Sequence, residues 1–375
     1  NKIYSFLEID PIVFDNGVYK KVKSFEISYR FSSDVTDSKN LIQPSVMRNG
    51  DWYQFYVQES GIHKIDRSFL EDLGISVQSV DPRLIRIFGH GGKMLPMQND
   101  SDFLIDPVEN SIKIIGEEDG SFDSGDYILF YATGPKGYNS ENDTNINLFE
   151  DKTSYFLSIG SENGIRTTDF IEPSGESVFS IDYYTNYQFH ENDDYNLAKI
   201  GRRWFGDRFD FENVKSFSFD LDNLLVDKPV NLKISAAAIS EIVTSMSVEL
   251  NGSQLSTMIF GPIGDPILAT ADNYSSNIDL NSSAVNLLLT YNNNGNPASS
   301  AYLDYISIEA SSSLNFSEGQ LTFYNNDLDL DSEIVNYEIS NANNISSIWN
   351  ISNISNISEI SPNQISDFSF KSIFN

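Results

Sequence analysis

The sequence predicts an all-β protein, made of consecutive β-sandwich or jelly-roll-like domains with at most one or two short helices. In the second half of the chain, short apolar stretches recur about every 8–12 residues, separated by Asn-Gly or Gly-Pro turns. Apolar residues at helical spacing are almost absent, and Tyr127 to Tyr131 forms an uncharged run of high β propensity. Regular short strands of this kind are typical of a sandwich, and a jelly roll is the favoured arrangement.

The first residues are predicted to form short strands followed by a loop. The turn sequence Asp15-Asn16-Gly17 interrupts the stretch from Lys2 to Tyr29. Phe25, Ile27 and Tyr29 alternate with polar residues, which indicates a half-buried strand. Residues 34–44 are polar, so we expect a loop there.

One short helix is expected between strands in the next part of the chain. Apolar residues at 69, 70 and 73 follow Asp66 and Ser68, either of which can cap the helix, and Gly74 stops it. The flanking segments have strand patterns, and Gly61 is a turn between two of them. The expected strands are Trp52–Val57, Ile85–Phe88 and Tyr155–Ile159, with a polar loop at residues 139–147.

The stretch Glu117 to Tyr131 predicts the turn and second strand of a hairpin, and we expect this hairpin to be central to the surrounding part of the chain. Asp119-Gly120 and Ser124-Gly125 are turn dipeptides, because glycine reaches positive φ without steric cost. The apolar residues 112, 114 and 115 precede this turn, and Tyr127 to Tyr131 follows it. We therefore expect two paired strands joined by an acidic loop, the second strand being buried on both faces.

The second half of the chain is divided into a sandwich and a connector. The sequence around Pro173 to Glu176 marks a first domain boundary. The predicted domains are residues 1–180, residues 181–315 as a jelly-roll-like sandwich, and residues 316–375 as a connector. The sandwich strands are expected at Phe217–Phe219, Val230–Ile234, Met246–Leu250, Ser256–Phe260, Val285–Tyr291 and Tyr302–Glu309.

The connector has an unusual isoleucine repeat. Isoleucine recurs every third residue amid Asn and Ser, at positions 345, 348, 351, 354, 357 and 360. This period matches neither the two-residue period of a strand nor the 3.6-residue period of a helix. The Asn-x-Ser triplets in the same region signal glycosylation only in a eukaryotic secretory route.

Charge and cysteine content exclude several classes of function. The net charge is −30 and the pI is about 4.2, whereas nucleic-acid binding needs clustered Lys and Arg. The chain has no cysteine, which excludes disulfides, thiolate catalysis and cysteine-ligated metals within it. An acidic chain rich in Asn and Ser fits a bacterial surface protein or an acidic cytosolic protein. No apolar run is long enough to span a membrane as a helix, and the first residues lack signal-peptide features, so we expect any export signal to have been removed.

No catalytic, cofactor-binding or metal-ligating residue is predicted, and no cofactor. The three histidines, His63, His90 and His190, are far apart in sequence, and without a thiol they cannot form a Cys-His dyad. Nucleophile elbows, phosphate-binding loops and H-E-x-x-H motifs are absent from the sequence. With 54 carboxylates, a general acid and base pair cannot be distinguished from a solvated acidic face.

Three short motifs have alternative interpretations. Gly89-His90-Gly91-Gly92 falls short of a dinucleotide fingerprint and is interpreted as a tight turn with glycines at positive φ. Acidic and hydroxyl residues at 119, 121 and 123 have part of the spacing of a calcium loop; a turn of solvated acids is favoured over an irregular calcium site. Acidic residues at 327, 329 and 331 alternate with leucines and indicate an exposed strand edge protected by charge.

The block Arg202-Arg203-Trp204-Phe205-Gly206-Asp207 has basic and aromatic residues that could bind a glycan or a phosphate. The favoured interpretation is structural: Trp204 and Phe205 fill the sandwich, and one arginine pairs with Asp207 or Asp210. Trp204→Ala is then expected to lower thermal stability. The block could equally mark a domain junction.

Five blocks in the same order resemble the non-catalytic front part of the PorU family, the type IX secretion system sortases of Bacteroidetes. The blocks are Gly50–Tyr53 with Gly61–Asp66, Arg83–Pro96, Glu117–Tyr131, Gly201–Asp207 and Tyr302–Ile306. The resemblance implies that the region around Trp349 leads into a gingipain-type cysteine peptidase domain, which is not among these 375 residues.

The resemblance also implies a function and partners. In that family the enzyme removes C-terminal secretion signals from cargo and joins the cargo to anionic lipopolysaccharide at the cell surface. This chain is then expected to be exported, to position its own catalytic domain for secreted cargo, and to contact a PorV-like outer-membrane barrel. The alternative is a stand-alone surface glycan-binding or adhesin module.

Overall fold

The computed structural model of the protein describes residues 12–15, 18–21, 23, 45–92, 94–96, 106–197, 199, 203–328, 333–362 and 366–374. The chain divides into two compact units, residues 1–48 and residues 49–375. In the first unit, β1 (Ile12–Asp15) and β2 (Val18–Lys21) form an antiparallel hairpin, with Asp15 opposite Val18. The predicted alternation at residues 25–29 and the loop at residues 34–44 lie outside the described residues.

The second unit contains three regions, which we call the front region, the sandwich and the tail region. The front region, residues 49–160, contains β3 (Trp52–Val57), β4 (Gly61–Asp66), α1 (Arg67–Asp72), β5 (Ile85–Phe88), β6 (Glu109–Asn110), β7 (Ile112–Ile115), β8 (Tyr127–Ala132), β9 (Lys136–Asn139), β10 (Thr144–Ile146) and β11 (Thr153–Ile159). The tail region begins with β12 (Thr168–Asp169) and β13 (Phe179–Ile181).

The sandwich, residues 183–313, lies between two parts of the tail region in sequence. It contains β14 (Tyr183–Glu191), β15 (Gly206–Phe209), β16 (Val214–Asp220), β17 (Val230–Ile239), β18 (Thr244–Leu250), β19 (Ser253–Phe260), β20 (Thr270–Ile278), β21 (Ala284–Asn292) and β22 (Ser300–Ser313). The tail region then ends with β23 (Ile334–Ser340), β24 (Ile348–Asn350), β25 (Ser358–Ile360) and β26 (Asp367–Ile373).

The all-β prediction is confirmed, and the one α-helix among the described residues is six residues long. Asp66 caps this helix as predicted, because its side chain accepts a hydrogen bond from Phe69 N at 3.1 Å. Gly74 follows the helix with φ +89°, a conformation that glycine adopts without steric cost. Among the described residues, no helix has the length and apolar content needed to cross a bilayer.

The front region has two sheets around one core. The sheets have strand orders β3-β11-β5-β6 and β4-β8-β7, and the core residues between them include Phe55, Phe130 and Tyr155. The predicted hairpin is confirmed, since β7 pairs antiparallel with β8. The prediction that β8 is buried on both faces is wrong: Ile128 and Phe130 are fully buried, whereas the alternating residues are half-buried.

Residues 139–147 are not the open loop that their polarity predicted. β9 and β10 form a small antiparallel hairpin. Thr144 and Asn145 are buried although both are polar, because Glu191 of the sandwich accepts hydrogen bonds from them. Polar composition predicted solvent exposure here, and contact with another region overrides it.

The sandwich consists of two antiparallel sheets that enclose the largest core. One sheet has the order β14-β22-β17-β20 with β15 also on β22, and the other has the order β16-β21-β18-β19. The core includes Phe209, Phe260 and Tyr291. All six predicted sandwich strands are present and are longer than the patterns indicated. β20 was not predicted, because its sequence, TADNYSSNI, has little apolar alternation.

The central strand β22 changes partner at Asp304. Before this residue β22 pairs with β15, and after it β22 pairs with β14. On the other side of β22, Ser235 lies opposite Tyr305 and Ala236 opposite Leu303, so Asp304 is an extra residue in the ladder. Such a bulge redirects one side chain and interrupts the ladder locally.

The isoleucine-rich tail forms strands, although its period of three predicted neither strand nor helix. The tail region has two sheets, β12-β25-β24 and β13-β23-β26, in which β12 and β13 pair in parallel with strands that follow the sandwich. Ile357 is fully buried. The domain boundaries at residues 180 and 315 and the connector role of residues 316–375 stay predictions.

Candidate functional site

The candidate site lies where the β9–β10 hairpin meets the sandwich, and we call it the acidic junction. It comprises Glu191, Asp193 and Asp304 together with the residues that contact them. Asp304 occupies the bulge of β22, Glu191 ends β14 opposite Tyr305, and Asp193 follows two residues later. Three carboxylates therefore lie near the point where β22 changes partner.

Arg203 supplies the positive charge that the structure describes at Asp304. Arg203 donates hydrogen bonds to Asp304 Oδ2 from Nε at 3.1 Å and from Nη2 at 2.7 Å. Ser235 Oγ donates to the same oxygen at 2.9 Å and lies 3.0 Å from Arg203 Nη2. Burial raises the pKa of Asp304, and the contacts with Arg203 and Ser235 act in the opposite direction. Two of the five sequence blocks thus meet in one ion pair.

Glu191 joins the sandwich to the front region. Its Oε2 accepts hydrogen bonds from Asn145 N at 2.7 Å and Asn145 Nδ2 at 2.9 Å, and its Oε1 accepts from Thr144 Oγ1. Burial raises the pKa of Glu191, while these hydrogen bonds oppose the shift and Asp304 adds to it. The carboxylate is therefore held by donors from the hairpin, and among the described residues no cation pairs with it.

Asp193 is the least compensated of the three carboxylates. Both of its side-chain oxygens are buried and have no hydrogen-bond partner among the described residues. Burial raises the pKa of Asp193 to about 7, with further contributions from Glu191 and Asp304. A carboxyl group in this position is easier to bury when it is protonated, because the neutral form costs less to remove from water.

Tyrosine hydroxyls complete the contact between the hairpin and the sandwich. Tyr305 donates a hydrogen bond to Asp143 Oδ1 at 3.0 Å, and Tyr187 donates one to Asn145 Oδ1. Burial raises the pKa of both tyrosines, so each remains a neutral donor at physiological pH. The arrangement is suited to holding two regions together. Among the described residues, no group of three His, Cys, Asp or Glu has the geometry to hold a metal ion.

The structural interpretation of the Arg202–Asp207 block is partly wrong. Trp204 does not fill the sandwich, since 37% of its surface is exposed, whereas Phe205 is buried against Ala237 and Tyr302. Arg203 pairs with Asp304 and not with Asp207 or Asp210, and Arg202 lies outside the described residues. The pairing of the block was predicted from neighbouring residues, whereas the partner of Arg203 is about a hundred residues away in sequence.

Other partners occupy the two acidic residues expected to pair with that block. Asp207 Oδ2 lies 2.6 Å from His190 Nε2, and this contact is the main cause that lowers the pKa of Asp207. Asp210 pairs with Arg208 at 3.0 Å.

The three histidines lie on separate elements. His63 is on β4 and its Nε2 is 2.9 Å from Glu59 O, His190 is on β14, and His90 lies in the loop after β5.

Backbone hydrogen bonds occupy the acidic turn at residues 119–126. Asp119 Oδ1 accepts from Ser121 N at 2.9 Å, and Asp126 Oδ2 accepts from Asp123 N at 2.6 Å. These contacts support the favoured reading, a turn of acids. At the third acidic motif, Asp327 is not on a strand edge: it accepts a hydrogen bond from Tyr183 and lies 3.5 Å from Lys228, while residues 329 and 331 lie outside the described residues.

The glycines of the Gly89–Gly92 loop serve close packing more than turn geometry. Only Gly91 has positive φ, at +80°. A Cβ at Gly89 would lie 2.4 Å from the Tyr155 ring, and a Cβ at Gly92 would lie 2.4 Å from Gly134 O. The expected glycine conformation is therefore wrong for two of the three. A shallow groove of about 330 Å³ lies beside this loop, lined by Gly92, Met94 and the β9–β10 hairpin.

A second junction ties the tail region to the front region, and we call it the tail junction. Lys113 Nζ lies 2.7 Å from both carboxylate oxygens of Glu359, and Ser347 Oγ donates to Glu359 Oε1 at 2.7 Å. Ser111 N donates to Ile354 O at 2.8 Å, and Ile357 N donates to Ser111 Oγ at 3.2 Å. The isoleucine-rich segment is thus fixed to β7 by both side chains and backbone.

Sequence reasoning missed the acidic junction. It treated the carboxylates of this acidic chain as equivalent, although Asp304 stands between apolar and aromatic residues in Tyr302-Leu303-Asp304-Tyr305-Ile306. An acidic residue inside an otherwise apolar strand costs free energy unless it is paired. That position was therefore the available signal.

The fold and the site define a protein with a central β-sandwich that a buried carboxylate, Glu191, holds to the front region. The fold matches the crystal structure of dimeric latent PorU from Porphyromonas gingivalis with a TM-score of 0.70 and 20% sequence identity, over 88% of this chain. The match covers 31% of the PorU chain, so this chain spans about a third of that length. The resemblance predicted from the five blocks is confirmed at the level of the fold.

Other solved structures match smaller parts. A carbohydrate-binding module, CBM36, in complex with calcium and xylotriose matches with a TM-score of 0.21 and 16% identity, over 27% of this chain and 77% of its own. The CBM35 module from Cellvibrio japonicus matches with a TM-score of 0.22 and 12% identity, over 41% of this chain and 96% of its own. Scores this low carry no argument about function. No family model and no curated protein matches the sequence.

Proposed function

We propose that this chain is the non-catalytic N-terminal part of a PorU-like sortase of the type IX secretion system. In this proposal it lies at the outer-membrane surface, positions the peptidase for secreted cargo, and contacts outer-membrane partners such as a PorV-like barrel. The observation that carries the proposal is the fold match to PorU over 88% of the chain. The order of the five sequence blocks adds to it.

Composition supports a non-catalytic role. A gingipain-type peptidase needs a cysteine thiolate, and this chain has no cysteine. Its three histidines lie on separate elements. The nucleophile of a PorU-like enzyme would therefore come from residues outside this chain.

The two junctions support a positioning role. Glu191–Asn145 joins the sandwich to the front region, and Lys113–Glu359 joins the tail to the front region. Arg203–Asp304 holds two distant segments together within the sandwich. Residues far apart in sequence are thereby held in fixed relation. A part of an enzyme that orients another domain requires such rigidity, because a small misplacement at a catalytic centre costs a large factor in rate.

Direct titration tests the proposal. The purified 375-residue chain is titrated with a PorV-like barrel in detergent and, separately, with anionic lipopolysaccharide, both in buffer containing a chelator. We expect saturable binding to the barrel and no binding to lipopolysaccharide, because a net charge of −30 repels a polyanion within a Debye length of about 8 Å. An unrelated acidic sandwich protein is the control.

The opposite result favours the alternative function. Tight binding to lipopolysaccharide or to another glycan, without binding to the barrel, would assign the chain to the glycan-binding modules. The sequence of the parent gene gives an independent check, since the proposal expects a peptidase domain with His and Cys after residue 375.

A further inference from the structure

One end of the sandwich carries an exposed apolar surface that the proposed function does not use. The loops at residues 210–213, 240–243, 261–269 and 293–299 all connect strands at this end, and we call them together the loop end. The register places them there, because Val214 pairs with Thr290, Thr244 pairs with Phe260, and Ile239 pairs with Ser300.

Hydrogen bonds hold these loops against one another. Ile263 N donates to Ser240 O at 2.7 Å, and Ser240 Oγ lies 2.7 Å from Ser299 Oγ. Asn213 Nδ2 donates to Tyr291 O at 2.9 Å, which fixes the first loop to the end of β21. The loop end is thus one connected surface and not a set of independent loops.

Large apolar side chains are concentrated at this end. Phe211 is 100% exposed, and Ile267 and Leu268 are 53% and 54% exposed. Four further exposed aliphatic residues flank them: Val214, Ile242, Val243 and Ile259. In the described loops at the opposite end, at residues 221–229, 251–252 and 279–283, Val226 is the one large apolar side chain that is exposed. A one-sided apolar surface of this kind marks an interaction site.

The charges around the loop end restrict what can bind there. The four loops contain Asp210, Glu212, Glu241 and Asp265 and no Lys, Arg or His. On the adjoining strands, Arg208 pairs with Asp210, and Lys215 Nζ lies 5.8 Å from the centre of the Phe209 ring. The surface is therefore apolar at its tips and acidic at its rim.

We propose that the loop end is the docking surface for a separate protein, whose matching face is a concave apolar site bordered by Lys or Arg. Exposed loop tips fit a concave surface, and an aromatic residue such as Phe211 is a typical anchor of a protein interface. Anionic lipid headgroups and a second copy of this chain would both place negative charge against the acidic rim. This inference deepens the proposed function, on which it rests, by locating a partner surface.

Site-specific cross-linking identifies the occupant. The photoreactive residue p-benzoylphenylalanine replaces Phe211 in the full-length parent protein, expressed in its native cells, and Val226 in a matched control. We expect light to cross-link position 211, but not position 226, to one other protein. The cross-linked segment of that protein should be apolar and flanked by Lys or Arg.

A binding measurement then tests the surface as a whole. The triple variant Phe211→Ser, Ile267→Ser, Leu268→Ser should bind the purified cross-linked protein at least about tenfold more weakly than the unchanged chain. Val226→Ser should bind as tightly as the unchanged chain, and all three proteins should melt at the same temperature because every changed side chain is exposed.

Each other outcome overturns the inference. These outcomes are a cross-link to lipid, to a second copy, to another part of the same protein or to nothing, and equal affinity of the triple variant. The proposed function fails separately: binding of the barrel by the triple variant at full strength would leave that function intact while removing the loop end from it. If the cross-linked protein has a Lys- or Arg-bordered apolar site but is not a barrel, and the unchanged chain does not bind the barrel, the loop end stays a docking surface and the barrel contact of the proposed function is overturned.

Discussion

The acidic junction and the tail junction both hold the front region to a later part of the chain, but they balance charge differently. At the tail junction one carboxylate, Glu359, meets one ammonium group, Lys113, with Ser347 as an additional donor. At the acidic junction three carboxylates lie near one guanidinium group, and Asp193 has no described partner. We therefore expect the stability of the two junctions to respond differently to pH.

The comparison shows that one junction can contain an ion pair that stabilises the fold and, beside it, a carboxyl group whose effect on stability depends on pH. Asp304 is nearly fully buried and depends on Arg203, so loss of the arginine leaves a buried charge. Asp193 has no such partner among the described residues, so the free-energy cost of burying it depends on whether the carboxyl group is protonated. The following predictions separate these two effects and compare both with the tail junction.

Among the charged side chains of the two junctions, Arg203→Ala is expected to have the largest effect. It should lower the free energy of unfolding by about 2–3 kcal/mol, less than for a fully buried pair because half of the Arg203 side chain is exposed. Urea denaturation of the 375-residue chain measures this. Adding Asp304→Asn should recover part of the loss, since the uncompensated charge is then removed.

The exposed pair Arg208–Asp210 provides the control for that experiment. Arg208→Ala should cost less than about 1 kcal/mol, as is usual for a surface ion pair. If Arg203→Ala costs no more than this control, the acidic junction does not stabilise the fold and the comparison between the junctions collapses.

Asp193→Asn is expected to change the pH dependence of stability. Folding raises the pKa of Asp193 from 3.8 to about 7, so the folded state binds the proton more tightly than the unfolded state. The free energy of unfolding should therefore fall as pH rises from about 4 through 7. Asparagine carries no charge, so the free energy of unfolding of the variant should fall less steeply with pH. At pH 8 it should exceed that of the unchanged chain by about 1–2 kcal/mol, after allowance for solvent screening.

Asp194→Asn is the matched control for the pH experiment. It removes the same formal charge from the neighbouring, exposed position. Thermal denaturation in a series of buffers should give this control a dependence of stability on pH closer to that of the unchanged chain than to that of Asp193→Asn, because Asp194 makes the smallest of the contributions that raise the pKa of Asp193. Identical slopes for the Asp193 and Asp194 variants would mean that overall acidity, and not the buried carboxyl, determines the pH dependence.

Lys113→Ala tests the tail junction and should have a smaller effect. About a third of the Lys113 side chain is exposed, and Ser347 and the backbone contacts of Ile354 and Ile357 remain after the substitution. We expect a loss of about 1 kcal/mol in the free energy of unfolding. A loss larger than that of Arg203→Ala would reverse the ranking of the two junctions.

Trp204→Ala should have the smallest effect, contrary to the expectation from the sequence. The indole is partly exposed, so its removal should lower the free energy of unfolding by less than about 1 kcal/mol. Phe205→Ala, one residue later and buried, should cost about 3 kcal/mol and serves as the comparison. Equal melting temperatures of these two variants would contradict the observed difference in burial.

Local pattern predicted most strands because burial and strand period are encoded by neighbouring residues. Ile85–Phe88 was placed with both ends correct, and the β7–β8 hairpin followed from its turn dipeptides. β20 was not predicted because its residues are largely Asn, Ser and Asp. The tail strands were not predicted because isoleucine at every third position matches neither the strand period nor the helix period. These strands exist because their backbones pair with a strand whose position only the tertiary fold determines.

The acidic junction could not be derived from local pattern for a related reason. Asp304 could be recognised as unusual in an apolar strand, but its pairing with Arg203 depends on a bulge and on the exchange of β15 for β14. Sequence reasoning therefore assigned one arginine of the block to a nearby acid, Asp207 or Asp210. Those acids were already engaged by His190 and Arg208.

We expect the parallel pairs of β12 with β25 and of β13 with β23 to form late in folding. Each of these pairs joins residues separated by the whole sandwich, whereas the strands of the sandwich find their partners within it. A chain whose N-terminal end is synthesised first can therefore complete the sandwich before the partner strands of β12 and β13 are present. Closing so long a loop costs more entropy than pairing strands within the sandwich, so we expect the tail strands to pair last. The ion pair between Lys113 and Glu359 then forms only after nearly the whole chain has emerged.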